Sequence, residues 1–591
     1  MKPQSVAHMF LEACDKFNKS NAAMVKKDGV FHNVSHDFWR ARVLNVTKGL
    51  VTLGVQPKEH VAILAETSFN WTLADLGTIC AGAVGVPIYP TLTGDQAAWI
   101  INNSDAIGII VSNKHQAEKV RSIKKQCPML RFVISIEKTG IDGVMTLEEL
   151  EEKGRTSELD AQVDQRLAAI QPDDLLTLVY TSGTTGNPKG VMLSHRNLIS
   201  NLEACMQISP FTKDDTHLSH LPLSHVLERM GGYYLMIHNG TTIAYAESID
   251  TLSEDMAAVQ PTVLFSVPRL FEKIYNKVIT NARQSGFVKH MIFRWAMGVG
   301  RKAAPFFAND QPLTGFLAKQ WALADKLVYG KIKQRTGGKL EYMIAGGAKL
   351  APEISIMFLG MGMNIVEGYG LTETSPVLTI NPPKHNKPGF VGPAVPGVEI
   401  RIAEDGEILA RGPNVMLGYY KNEEATAATI KDGWIHTGDI GYMDEEGFVQ
   451  VTDRKKDLII TSGGKNIAPQ PLENTLKLSP FIEQAVIIGN DRKFISALIV
   501  PPWDTIETWA RSFGWSTNPA ELALSDEFKT FIAEQIATKM KDFAKYEQVK
   551  KFEIIPAGFT VEGGELTPSM KVKRKFVAQK YADYIEKIYA S

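Results

Sequence analysis

Short apolar, β-rich runs alternate with helix-like spacing through the first half of the chain. The runs lie at 60–64, 84–89, 106–111, 132–136, 175–180, 241–245 and 262–267. This alternation predicts layered α/β sheets, with an amphipathic first helix within 1–17. After about residue 389 the spacing shortens to hairpins, one turning at Glu404-Asp405-Gly406 and one at Glu445-Glu446-Gly447, which predicts a small antiparallel β part. A run of charge, Asp453-Arg454-Lys455-Lys456-Asp457, then leads into a compact αβ pattern with one more hairpin around Asn490-Asp491-Arg492. The expected architecture is therefore α/β: a large N-terminal domain over 1–452 and a smaller α+β C-terminal domain over 453–591. No internal repeat interrupts it.

At 591 residues the chain is long enough to bury several cores. Its 64 basic and 65 acidic side chains give a net charge of -1, which supplies no overall attraction to nucleic acid. Cys14, Cys80, Cys127 and Cys205 are far apart and form no C-x-x-C pair. That excludes a disulfide framework and structural zinc and fits the cytoplasm. The opening residues lack the apolar core of a signal peptide. The most hydrophobic stretch, 76–90, is too short to span a bilayer and is broken by Gly82, Gly85 and Pro87. Charge is concentrated in one place. Residues 273–339 hold thirteen Lys and Arg against Asp310 and Asp325, interleaved with Phe287, Phe293, Trp295, Phe306, Phe307, Phe316 and Trp321. Such a segment either rests on an anionic membrane surface or is a set of surface helices with its aromatics turned inward.

The strongest local signal is YTSGTTGNPKG, 180–190, directly after the apolar run 175–179. Gly183, Gly186 and Gly190 let the backbone approach an anion, Ser182, Thr184 and Thr185 offer hydroxyls, and Lys189 offers a cation. Such a stretch is either a cradle for a nucleotide polyphosphate or an ordinary loop between periodic segments. It is not the common G-x-x-x-x-G-K-[ST] loop, because Lys189 follows Pro188 and Gly190 stands where the Ser/Thr would be. Further along, EGYGLTETSP at 367–376 places a ring that can stack on a base (Tyr369), a hydroxyl for phosphate (Thr372) and an acid that can hold Mg²⁺ (Glu373).

GWIHTGD at 433–439, DRKKDLI at 453–459 and LTPSMKVKRK at 566–575 follow. In order and content the five motifs resemble the adenylate-forming superfamily of acyl-CoA synthetases, luciferases and peptide-synthetase adenylation domains. LPLSHVLER at 221–229 is similar to the long-chain fatty acyl-CoA synthetase branch. The resemblance implies an ATP-dependent ligase joining a medium- or long-chain fatty acid to coenzyme A through an acyl adenylate, with Mg²⁺ and a mobile C-terminal domain.

It also implies roles. Thr181 to Lys189 would hold the β- and γ-phosphates, and Thr184 and Glu373 would flank the metal. Gly346, Gly347, Ala348, Gly368 and Tyr369 would form the adenine slot, Thr372 would touch the α-phosphate, and Asp439 would accept the ribose hydroxyls beside Arg454. Asp453 would be the hinge and Lys571 the catalytic lysine, with Met570 where many members have glycine. Gly463 and Gly464 would line the coenzyme A tunnel. His225 either orients the acyl carboxylate or is a structural histidine, and Arg229 is either a residue of the fatty-acid gate or a packing partner. Two rival readings are a synthetase that loads a carrier protein and a catalytically silent nucleotide-binding relative. Lys571, Glu373 and Thr184 together speak against the second.

Overall fold

The computed structural model describes residues 3–181, 187–463, 465–567 and 570–590, with all side chains but those of 507–509 and 512. Two eight-stranded sheets dominate it. One runs, in spatial order, Val377–Ile380, Asn364–Gly370, Tyr342–Ala345, Val263–Ser266, Thr216–Ser219, Thr242–Tyr245, Ala23–Lys27 and Val30–Val34. The other runs Gly418–Tyr419, Lys189–Ser194, Leu175–Thr181, Val84–Ile88, His60–Leu64, Ala106–Val111, Phe132–Ser135 and Val144–Thr146. Both are parallel at the centre and antiparallel toward an edge that faces the site. Central strands such as His60–Leu64 and Ala106–Val111 are buried along their whole length, which is why they read as unbroken apolar runs.

Helices Val6–Phe17, His36–Thr52, Phe69–Cys80 and His195–Met206 lie between the two sheets and share one core with strands of both. Their starts are written locally. Ser5, Ser35, Ser68 and Ser194 each accept a hydrogen bond from a backbone N–H in the first turn. A second core on the outer face of the first sheet takes in Phe271, Val299 and Phe358 from the helices Pro268–Gln284, Phe287–Ala308 and Pro352–Gly360.

The small β part is a five-stranded antiparallel sheet built from the two expected hairpins, Glu399–Ile402 with Glu407–Arg411 and Trp434–Met443 with Val449–Arg454. Beyond it, the smaller C-terminal domain packs helices on a three-stranded sheet of Gln484–Ile488, Ser496–Val500 and Lys551–Ile554. Arg269–Glu483 at 2.6 Å and Lys477–Glu272 at 3.0 Å join this domain to the helix Pro268–Gln284. Cys14, Cys80, Cys127 and Cys205 are all free and buried.

Candidate active site

The phosphate-loop hairpin is formed by Leu175–Thr181 and Lys189–Ser194, with Thr181 opposite Lys189. Ser182, Gly183, Thr184, Thr185 and Gly186 lie outside the described residues, as does Gly464. Lys189 stands at the mouth of the hairpin with its Nζ 4.9 Å from the centre of the Tyr419 ring.

Glu373 sits in a single 3₁₀ turn, Thr372–Thr374, at the end of the strand Asn364–Gly370. A Cβ on Gly370 would fall 1.7 Å from the Pro376 carbonyl oxygen, so the turn can fold this tightly against the strand only with glycine there. Tyr419 Oη donates to Glu373 Oε1 at 2.8 Å. Tyr369 Oη donates to Asp439 Oδ2 at 2.8 Å, and Arg454 Nε lies 3.3 Å from Asp439 Oδ1. Asp439 and Arg454 face each other across paired strands. Gly346 and Gly347 follow the strand Tyr342–Ala345, and Gly347 takes φ +81°, a conformation that favours glycine. A Cβ on Gly346 would meet Leu227 at 3.1 Å, which brings the segment carrying His225 against the expected adenine slot.

Lys571 is brought to this cluster from the C-terminal domain. Burial lowers its pKa to about 8, with Arg454 and Lys456 adding to the effect and Asp439 and Glu373 opposing it. His225 responds to the same lysine: burial first and then Lys571 lower its pKa to about 4, so the ring is neutral near pH 7. Its Nδ1 accepts from the Leu227 N–H at 3.1 Å, and its ring meets Tyr89 edge-on at 6.4 Å. Lys571 is thus gathered with Asp439, Arg454 and Glu373, although more than a hundred positions separate it from each of them. The loop that presents it is closed by the Met570 N–H donating to the Thr567 carbonyl at 2.8 Å, with Met570 at φ +62°. That conformation explains why glycine is the ordinary residue at this point of the pattern.

Asp453 is nearly fully buried. Its Oδ1 accepts from the Arg454 N–H at 2.6 Å and its Oδ2 from the Gln470 N–H at 3.1 Å, which ties the last strand of the β part to the first helix of the C-terminal domain. Burial raises its pKa to about 6 against these donors. Gly463 lies in the turn between the short strands Ile459–Ile460 and Asn466–Ile467, and among the described residues none of the adenine or phosphate motifs bonds to it.

Arg229, read from the sequence as either a gate residue or a packing partner, lies in the core. It is 3% exposed and paired with Asp75, while its Nη1 donates to Thr177 Oγ1 at 2.7 Å and its Nε to Tyr234 Oη at 3.0 Å. All three nitrogens are engaged inside the core, where the side chain ties strand to helix. Two residues of the site were not singled out from the sequence, Tyr419 and Lys456. Lys456 stood in view inside the DRKKDLI motif, whereas Tyr419 had only the Gly418-Tyr419-Tyr420 sequence to mark it.

With this geometry in hand, the comparisons are consistent. The AMP-binding enzyme family matches residues 11–420, and the AMP-binding enzyme C-terminal domain matches residues 456–591. The chain belongs to this family. It is 38% identical to the long-chain-fatty-acid–CoA ligase FadD15 of Mycobacterium bovis over 95% of this chain and 93% of that protein. It is 32% identical to the long-chain-fatty-acid–CoA ligase ACSBG1 of Macaca fascicularis over 99% of this chain and 85% of that one. In fold it matches the adenylation domain of a carboxylate reductase from Mycobacterium chelonae, with a TM-score of 0.80 at 20% identity over 99% of this chain and 91% of that one. It also matches the anthranilate CoA ligase AuaEII, with a TM-score of 0.75 at 17% identity over 99% of each chain.

Proposed function

We propose that this chain is an ATP-dependent fatty acid:coenzyme A ligase acting on medium to long chains. The carboxylate of the acid attacks the α-phosphorus of ATP, an O–P bond forms, and pyrophosphate leaves. The thiol of coenzyme A then attacks the acyl carbonyl, a C–S bond forms, and AMP leaves. The observation that carries the reading is Lys571, delivered from the C-terminal domain to the cluster of Asp439, Arg454 and Glu373. Relatives named long-chain-fatty-acid–CoA ligases at 32–38% identity point to the substrate, and they do not favour transfer to a carrier protein or a silent role.

In this reading each residue has a task. Two anions meet in the first step and the charge on phosphorus grows, so cations set in place beforehand are the main catalytic device. Lys571 and Lys189 supply them. No general base is needed, because the acid is already ionised at neutral pH. Tyr369 stacks on adenine while its hydroxyl and Arg454 hold Asp439 toward the ribose. Gly346, Gly347, Ala348 and Gly368 leave room for the base, Thr372 meets the α-phosphate, and neutral His225 faces the acyl carboxylate. Magnesium fits at Glu373, a hard oxygen donor whose carboxylate is fixed at one oxygen by Tyr419, with Thr184 as its companion. Bound there, it would neutralise charge on the phosphates. For the second step, the 453–591 domain turns about Asp453, withdrawing Lys571 and bringing in the loop of Gly463 and Gly464.

Acid-dependent exchange of labelled pyrophosphate into ATP without coenzyme A tests the first step, and thioester formation after coenzyme A is added tests the second. Absence of exchange with every straight-chain acid from about eight carbons up overturns the assignment.

A specific observation favours work at a membrane face, in the cytoplasm where free buried cysteines persist. No helix among the described residues is long and apolar enough to cross a bilayer. Yet the 273–339 segment exposes Phe287 (80%), Phe316 (75%) and Val288 (68%), together with Met291, Leu323 and Leu327. Trp295 and Trp321, in contrast, pack against the core. Large apolar side chains in water among thirteen basic residues fit an anionic bilayer, from which a long-chain acid could be collected. Sedimentation with phosphatidylglycerol vesicles should carry the protein down at low salt and release it at high salt. Phosphatidylcholine vesicles should bind less. No binding to the anionic vesicles at low salt sinks this part.

A further inference from the structure

The metal site needs more than a carboxylate; it needs one held in place, and the chain provides for this with a single short segment. Gly418–Tyr419 forms a two-residue strand whose Tyr419 pairs with Val191, in the same strand as Lys189. Both backbone groups of Tyr419 are engaged: its N–H donates to Thr426 Oγ1 at 2.8 Å, and its carbonyl accepts from the Asn422 N–H at 3.1 Å. Tyr419 is buried in one small core with Val179, Val191, Leu193, Val226 and Met416. A ring so fixed has one polar atom to spend, and that hydroxyl donates to Glu373 Oε1 at 2.8 Å.

The same segment also grips the Glu373 backbone. The Met416 N–H donates to the Glu373 carbonyl at 2.9 Å, and Asn414 Nδ2 donates to the next carbonyl, that of Thr374, at 2.8 Å. Glu373 Oε2 makes no hydrogen bond among the described residues, so one oxygen is pinned and the other is left for a cation.

We propose that Tyr419 is a positioning residue for the metal-binding carboxylate of Glu373, joining the metal site to the strand that carries the phosphate-binding Lys189. This rests on reading Glu373 as a magnesium ligand. Partners that orient a ligating carboxylate typically change metal affinity about 10- to 100-fold when removed. Packing alone would leave no such trace, because Tyr419→Phe keeps the ring and its contacts.

The test is equilibrium binding of α,β-methylene ATP, a non-reacting nucleotide, with chelator and then with magnesium. In the wild type magnesium should tighten binding. Tyr419→Phe should bind the nucleotide as the wild type does in chelator, which also shows that the fold is intact, and should lose about tenfold or more of the magnesium-induced tightening. Glu373→Gln is measured beside it and should lose at least as much. If Glu373→Gln loses the tightening and Tyr419→Phe keeps it, Tyr419 is a packing residue only and the proposal is overturned, while the reading of Glu373 stands. If neither variant loses it, both fall.

Discussion

The protonation of Lys571 should set an upper pH limit on adenylation, and the sign follows from what surrounds it. Burial costs the ammonium its hydration, and Arg454 and Lys456 repel it, while Asp439 and Glu373 attract it; the balance brings its pKa to about 8. His225, with a pKa of about 4, is neutral through this range and adds no charge. Below pH 8 the lysine is a cation and can stabilise the growing charge on phosphorus; above it, the neutral amine cannot. The kcat/KM for acid-dependent pyrophosphate exchange should therefore hold level to about pH 8 and then fall about tenfold per pH unit, since it reports the free enzyme. With ATP bound, the phosphates favour the cation, so the break in kcat should lie at higher pH than the break in kcat/KM. Arginine does not deprotonate in this range, so whatever activity Lys571→Arg retains should show no break there. Removing a repelling charge with Arg454→Gln should move the wild-type break upward. A level kcat/KM profile between about pH 7 and about pH 9.5, or the same break in Lys571→Arg, would show that another group sets the limit.

Lys571→Ala should abolish pyrophosphate exchange yet leave thioester formation from supplied acyl adenylate nearly intact, whereas Asp453→Pro, by fixing φ at the hinge, should impair the second step more; equal loss of both steps in both variants would contradict domain alternation. Asp75→Ala leaves Arg229 charged and unpaired in the core and should cost about 3–5 kcal/mol, seen as a large drop in melting midpoint. Glu152→Ala, at an exposed ion pair, should cost under about 1 kcal/mol, and similar shifts for the two would refute the burial argument. Met570→Gly relieves a left-handed backbone worth about 1–2 kcal/mol and loses little packing at an exposed side chain, so adenylation should persist and the melting midpoint should not fall. A marked loss of exchange in that variant would mean that the methionine side chain itself serves the lysine loop.

What the sequence revealed of this protein depended on whether the physical cause was local. Strands buried on both faces announce themselves as apolar runs, and hairpins by Asp-Gly or Glu-Gly at the turn, so 60–64, 106–111, 404–406 and 445–447 were readable. The strand Ala23–Lys27 was not. It ends in two lysines and earns its place in the first sheet by pairing with Thr242–Tyr245, more than two hundred positions away. The site divides in the same way. Loops that bind phosphate or base carry their chemistry within ten residues, but the support for Glu373 arrives from Tyr419, 46 positions on, through a strand pairing that no local pattern encodes.

Arg229 shows how such a gap can be narrowed. The helix Phe69–Cys80 is buried at every position but Asn70 and contains one charged residue, Asp75. Arg229 is buried too, and its neighbour Glu228 is already engaged by His217 and Ser219. A buried acid and a buried base each require a partner of opposite sign, because an unpaired buried charge costs far more than a fold can spare. Matching those two needs would have joined residues 154 positions apart and placed Arg229 in the core.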